Sequence, residues 1–399
     1  MKALSDIPFL TLRANDWVPE VSAAATVLLD GRLTAANRHQ VIDALPFILR
    51  MIPRSRRDHG HFLETTVAAL VADGGTAVLE RAPGFPASIR RFVYQAVWRH
   101  SPAPDNAVLR VASADGDVTA RAQATRWLLD CSDRAMVVPQ LERMLNDAAP
   151  VVRSQALQAL VARAPDRAAG RVTASLVDSA ASVRSLARFL AKKLSLPLVP
   201  RDFYVQQLTQ ASGATLAAAV DGVGETGKPE DEPLVDVHST SSSTQVRKAV
   251  LGTRARLVPA RGVALAMAAL PDDPMLRSAA VTVLAMHPHL IDFQALAHSC
   301  RQMRGTLTAG KILRLFRKAP KWDVPSLLID ALPDASETDR VMALQQLEGW
   351  IASFARSQVA PSSAQLERVH DRLRAHGSLL PPSLAAELEF LASHAAGVR

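Results

Sequence analysis

The sequence predicts an all-α chain, an α-solenoid of stacked antiparallel helix pairs, and three observations carry that prediction. A phrase of about 31 residues recurs along most of the chain. Apolar residues within it fall at helical spacing. The composition, 48% hydrophobic with only 5% aromatic residues, favours close helix–helix contact over sheet packing. The period is plainest at 146–190, where Asp147, Val152, Arg153, Ala156 and Leu160 are followed 31 residues later by Asp178, Val183, Arg184, Ala187 and Ala191. Repeats of this length mark arrays in which each unit buries its apolar face against its neighbours.

In chain order, residues 1–84 read as irregular terminal repeats. A helix is expected at 16–29, capped by Asp16, with Val21, Ala25 and Leu28 on its buried face. The next, roughly 34–52, carries Pro46, which should kink or break it. A third, at 61–71, should end at Gly74 and Gly75.

Residues 85–350 read as regular repeats. The apolar or β-branched residue opening each second helix serves as an anchor: Ile89, Ala120, Val152, Val183, Thr215, Val246, Leu276, Thr308 and Asp339, spaced by 30–32 residues. Four residues further on stand Val93, Ala124, Ala156, Ala187, Ala219, Val250, Ala280, Ile312 and Ala343. Eight further on stand Val97, Leu128, Leu160, Ala191, Val223, Arg254, Leu284, Phe316 and Leu347. Positions 0, +4 and +8 share one helical face, and Arg254 is the one polar residue among the eighteen at +4 and +8. The alanines at +4 allow neighbouring helices to approach closely.

The residue after the anchor is arginine in seven units: Arg90, Arg121, Arg153, Arg184, Arg247, Arg277 and Arg340. Five residues before the anchor, Asp115, Asp147, Asp178 and Asp334 recur. A loop aspartate and a helix-start arginine in each unit predict a ladder of charged hydrogen bonds between adjacent units, not a track for nucleic acid. In these features the sequence resembles the HEAT-repeat family, specifically its short bacterial type, over about 85–350. The resemblance implies ten to twelve helix pairs and a role in scaffolding or binding rather than one activity.

The first helix of each unit is expected in stretches such as 136–145, 202–208, 260–270 and 324–332. Two final helices, roughly 363–376 and 381–395, read as a cap within 351–399. Composition narrows the setting. Forty-six basic against 38 acidic residues give a charge of +8, which permits an acidic partner or nucleic acid without requiring either. Cys131 and Cys300 are too few and too far apart for a disulfide framework. Asp6 interrupts the apolar run a signal peptide needs, and 262–270 is too short to span a membrane. A cytoplasmic protein is expected, and its arginine bias fits a GC-rich bacterial genome.

Several motifs invite chemistry. Gly222 to Lys228 spells GxxxxGK, but Pro229 replaces the Mg²⁺-binding hydroxyl and a repeat helix precedes it. The motif is expected to be a turn. His287, His289, His298 and Cys300, like Asp58, His59, His61 and Glu64, lack the convergent spacing of a zinc site, so no metal and no cofactor are expected. HEAT-like DNA glycosylases use aromatic residues and an aspartate on a concave face. Trp127 and Asp130 offer those residue types without the motif, and Asp130 reads as a helix-end residue.

The strongest functional signal is 301–321, with Arg301, Arg304, Lys311, Arg314, Arg317, Lys318 and Lys321 and no acid. On one helix, the last five would share an arc of about 120°. A smaller group is Arg50, Arg54, Arg56 and Arg57. On the second helices, Gln95, Arg99, Gln123, Arg126, Gln155, Gln158, Lys193 and Arg256 are expected to face a partner. The expected role is a non-enzymatic protein–protein scaffold or adaptor with an acidic protein partner and no membrane. The alternative is a nucleic-acid-binding, glycosylase-like protein.

Overall fold

The computed structural model describes residues 6–51, 60–100, 106–131, 133–303, 306–333 and 335–396. It is all-α, with 24 α-helices and no strand among the described residues. The first five helices are α1 (Ile7–Ala14), α2 (Pro19–Arg32), α3 (Arg38–Met51), α4 (Gly60–Val71) and α5 (Thr76–Arg81). The anchored second helices follow as α6 (Ala87–His100), α8 (Val118–Asp130), α10 (Pro150–Arg163), α12 (Ala181–Lys193), α14 (Gly213–Thr226), α16 (Thr244–Leu257), α18 (Arg277–Met286), α20 (Leu307–Phe316) and α22 (Glu337–Ala352). Between them lie α7 (Asn106–Ser113), α9 (Arg134–Met144), α11 (Pro165–Ser175), α13 (Pro200–Gln210), α15 (Glu232–Asp236), α17 (Pro259–Asp272), α19 (Phe293–Gln302) and α21 (Asp323–Asp330). The last helices are α23 (Ser363–His376) and α24 (Pro382–Ala396).

The chain divides into two compact units, one of residues 1–176 and 185–196, the other of 177–184 and 197–399. In the first, α8 packs on its mate α7 and on α10, and α10 packs on its mate α9. In the second, α16 packs between α14 and α18, α20 packs on α18 and α22, and α19 lies against α17 and α21. Within each unit these helices pack on a mate or on the equivalent helix of a neighbouring pair.

Burial follows the repeat register. All eighteen residues at +4 and +8 are buried, from Val93 and Val97 to Ala343 and Leu347. The anchor column is looser: Thr215 is exposed, and Leu276, Thr308 and Asp339 are half-buried. Helix starts carry local reasons. Asp117 and Asp292 accept backbone N–H groups at the first turns of α8 and α19, and Pro150, Pro165, Pro200 and Pro259 open α10, α11, α13 and α17.

Arg254, the exception at +8, is buried with its partners. Its Nε donates to Glu232 Oε1 at 2.7 Å and its Nη1 to Asp236 Oδ1 at 2.5 Å. Arg261 donates to the second oxygen of Glu232 at 2.8 Å. The charge is tolerated because α15 brings a buried carboxylate to it.

The terminal repeats depart from expectation in three places. α3 runs through Pro46, whose apolar neighbours Ile42, Leu45 and Ile48 are buried and hold the helix in the core. Asp16 does not cap α2, which starts at Pro19; it accepts instead from the Val18 amide and from Arg13. The buried face of α2 is Ser22, Ala25 and Leu29, leaving Val21 and Leu28 exposed. Gly74 and Gly75 do end α4, with φ of 74° and 82°. Gly75 is required twice over, since a Cβ there would come within 2.5 Å of Val97. No single helix among the described residues is long and apolar enough to cross a membrane.

Two substitutions test the packing. Ala156→Leu, at a +4 site with no exposure, is expected to destabilise by about 1–3 kcal/mol through overpacking, read from denaturant midpoints. Glu232→Ala should cost about 3 kcal/mol or more by stranding buried Arg254, whereas Arg254→Leu with Glu232→Leu should recover most of that loss. A double variant as unstable as the single one would show that burial of the charge is not the cause.

Candidate functional site

The recurring arginines turn inward onto the loops that precede them. Arg121, Arg153, Arg184 and Arg247 each donate through Nη1 to the carbonyls six and five residues earlier: Asp115 and Gly116, Asp147 and Ala148, Asp178 and Ser179, Ser241 and Ser242. Arg90 reaches the Phe85 carbonyl, and Arg277 those of Leu270 and Pro271. The rest of the guanidinium makes the rung. Arg90 bonds both oxygens of Asp115 at 2.7 Å, Arg121 bonds those of Asp147 at 2.6 and 2.9 Å, and Arg247 reaches Asp273 at 3.5 Å. Arg184, almost fully buried, pairs with Glu225 and lies 3.4 Å from Asp221. Asp334 lies outside the described residues. Six of the seven column arginines thus have structural partners, with the predicted rungs seen at Arg90–Asp115 and Arg121–Asp147, while the Nε of the seventh, Arg340, is buried without one among the described residues.

The aspartates are held as anions. Burial pushes Asp115 upward, but hydrogen bonds from Arg90, the Asp117 amide and Tyr94 outweigh it and hold the carboxyl down at about 2. Burial likewise opposes Asp147, and bonds from Arg121 and the Ala149 amide overcome it and lower its pKa. The buried Tyr94 hydroxyl, which donates to Asp115 at 2.7 Å, is pushed up by burial.

The 301–321 charges do not form one stripe. α20 ends at Phe316, so Arg317 is its C-cap, and Lys318 and Lys321 lie in the turn beyond. Arg301 is bound to Asp330. Lys321 is drawn inward: its Nζ donates to the carbonyls of Phe354 and Ser357 at 2.7 and 2.6 Å and sits 4.0 Å over the Phe354 ring. Burial lowers its pKa. Arg304 lies outside the described residues, as do Arg54, Arg56, Arg57, Asp58 and His59. Exposed cations remain at Lys311, Arg314, Arg317 and Lys318. Lys311 donates to Ser278 at 3.4 Å; the other three side chains have no ion pair or hydrogen bond among the described residues.

Arg314 and Arg317 meet Arg356 at a groove of about 620 Å³ between α20 and α22. The groove also takes in Met342, Gln346 and Trp350. Trp350 packs edge-on against Trp322 at 5.6 Å and Phe354 at 5.2 Å, giving the groove a rigid base. Sequence reasoning missed Arg356, Gln346 and Trp350, which belong to no repeat column.

The other expected partner residues are scattered. Arg99, on α6, borders an apolar groove with Leu63, Val67 and Phe92; Arg126 bonds Gln123; Lys193 is exposed at the end of α12; and Arg256 is paired with Asp221 at 3.2 Å. Gln155 does not reach solvent with its Oε1, which is buried without a partner.

The sequence matches no family model and no curated protein.

The GxxxxGK glycines serve packing. Gly222 lies in α14 under the Tyr204 ring, where a Cβ would come within 2.3 Å, and Gly224, also in α14, faces Thr253 of α16. Gly224 is thus inside the helix and Gly227 caps it, while the Lys228 amide donates to Asp231. No group of three or more His, Cys, Asp or Glu converges for a metal among the described residues. The His287 and His289 rings meet edge-on at 6.3 Å. Trp127 is buried and stacks on Trp98 at 5.1 Å, an aromatic partner the sequence had not revealed, while Asp130 ends α8 in solvent.

Because the folded pKa of Asp115 is depressed, its contribution to stability is present above about pH 4 and lost as pH falls through about 2. The shift is worth about 2 kcal/mol. The stability difference between wild type and Asp115→Asn should therefore be about 2 kcal/mol at neutral pH and vanish near pH 2. A difference that does not change with pH would show that the carboxylate's charge is not what stabilises.

Proposed function

We propose that the protein is a non-enzymatic α-solenoid of HEAT-like repeats, acting as a scaffold or adaptor that binds an acidic protein partner. One observation carries this reading. Most of the arginines in the repeats are engaged with loop carbonyls and carboxylates, yet Arg314, Arg317 and Lys318 stand exposed and unpaired together, with Arg356 close by. Exposed cations of one sign, held together and without partners, attract an arriving anion. Stacked helix pairs supply a continuous surface on which such a patch can meet an extended segment or a second domain. Nucleic acid is the weaker reading, since exposed stacking aromatics are not interleaved with these cations; Trp350 and Trp322 are buried.

Affinity capture with the full chain separates the two. Wild type should retain a protein rich in acidic residues, and the variant Lys311→Glu/Arg314→Glu/Arg317→Glu/Lys318→Glu should retain at least about tenfold less of it. Capture unchanged by the four reversals, or duplex DNA binding that falls steeply between about 50 and 200 mM salt and depends on the same residues, would overturn the proposal.

A further inference from the structure

The groove between α20 and α22 contains a second anomaly besides its three free guanidinium groups. Gln346 lines it, yet both the Oε1 and the Nε2 of this side chain are cut off from solvent and have no hydrogen-bond partner. A buried carboxamide with neither group satisfied is costly, and native structures keep such groups rare unless a ligand completes them. No carboxylate lines the groove, and Arg314, Arg317 and Arg356 have no side-chain partner among the described residues. The site is therefore short of acceptors for three guanidiniums and one amide N–H, and short of one donor for the amide oxygen.

From this imbalance we infer that the groove binds an extended acidic peptide segment, its carboxylate side chains on Arg314, Arg317 and Arg356 and its backbone on Gln346. The inference rests on the scaffold reading and names the part of the partner that would be recognised. The carboxamide decides between ligands. A phosphate offers acceptors in abundance, which would serve the arginines and Nε2 but leave Oε1 unmet. A peptide group offers an N–H and a C=O in one plane and satisfies both ends once the Gln346 side chain turns toward it. Arginine forks match carboxylates in the same way, two N–H groups to two oxygens. Met342 and Trp350 supply an apolar wall for the side chains between the acids.

The test is fluorescence anisotropy with the full chain and a labelled, end-blocked octapeptide alternating glutamate and serine. Wild type should bind it saturably, and the same peptide with glutamine for glutamate should not bind. Arg317→Glu/Arg356→Glu should weaken binding at least about tenfold, and Gln346→Leu about threefold to tenfold, while Arg143→Glu, an exposed charge reversal on α9 outside the groove, should change it less than about twofold. All three carry unchanged circular dichroism and melting if the positions are exposed or tolerant, and Gln346→Glu offers a second, near-isosteric probe if Gln346→Leu melts early. Its added charge should weaken peptide binding further. Absence of saturable binding, or affinity indifferent to Arg317→Glu/Arg356→Glu, overturns the inference. So does inorganic pyrophosphate displacing the peptide through Arg317 and Arg356 with no dependence on Gln346, which would mark a phosphate site. Charge-dependent capture of a protein partner together with failure of the peptide would leave the scaffold reading standing and remove only the groove.

Discussion

The structure depends on how closely successive second helices approach one another. That distance is set by the +4 column, where six of nine residues are alanine and all nine are buried. Alanine lets two backbones draw near, the larger Val93, Val250 and Ile312 fill the same column in the other units, and the +8 residues close the seam behind it. The same constraint appears between a helix and its mate, where Gly222 leaves its volume to the Tyr204 ring. Where a unit departs from the pattern, its surroundings compensate. Arg254 occupies an apolar position only because Glu232 is buried beside it.

Seen from the packing outward, the basic excess of the chain separates into two populations. The repeated arginines are structural cross-links, each joining a loop to its own helix and, at Arg90 and Arg121, to the aspartate of the following loop. Among the cations left in solvent, Arg314, Arg317 and Arg356 line one groove beside three packed aromatic rings. Electrostatic attraction at a rigid site of this kind favours a specific anionic segment over diffuse adhesion.

Much of the fold could be read directly from the chain, and the reason is physical. Burial in stacked pairs is periodic along the sequence, so columns such as Ala124, Ala156 and Ala187 announce themselves at fixed intervals. Ends of helices are decided by local turn energetics and were harder to see. Pro320 blocks a further turn after Phe316, so the helix stops there and the expected charged face does not form. In α2 the choice of Leu29 over Leu28 for the interior is a rotation of one residue that a short amphipathic segment scarcely specifies. The groove was invisible for a different reason: Arg314, Gln346 and Arg356 come from two helices and a turn, brought together by packing alone.

The hydrogen bonds from Arg121, Arg153, Arg184 and Arg247 to carbonyls five and six positions back act as a ruler laid along the inner loop of a repeat. A side chain of fixed reach cannot span a lengthened loop, so added residues there would unclasp the hairpin they interrupt. The connections that leave these helices vary in form, and 227–231 is tied instead by Arg201 to Asp231. Changes of length are therefore costlier in the clasped loops of these hairpins than in connections whose form already varies.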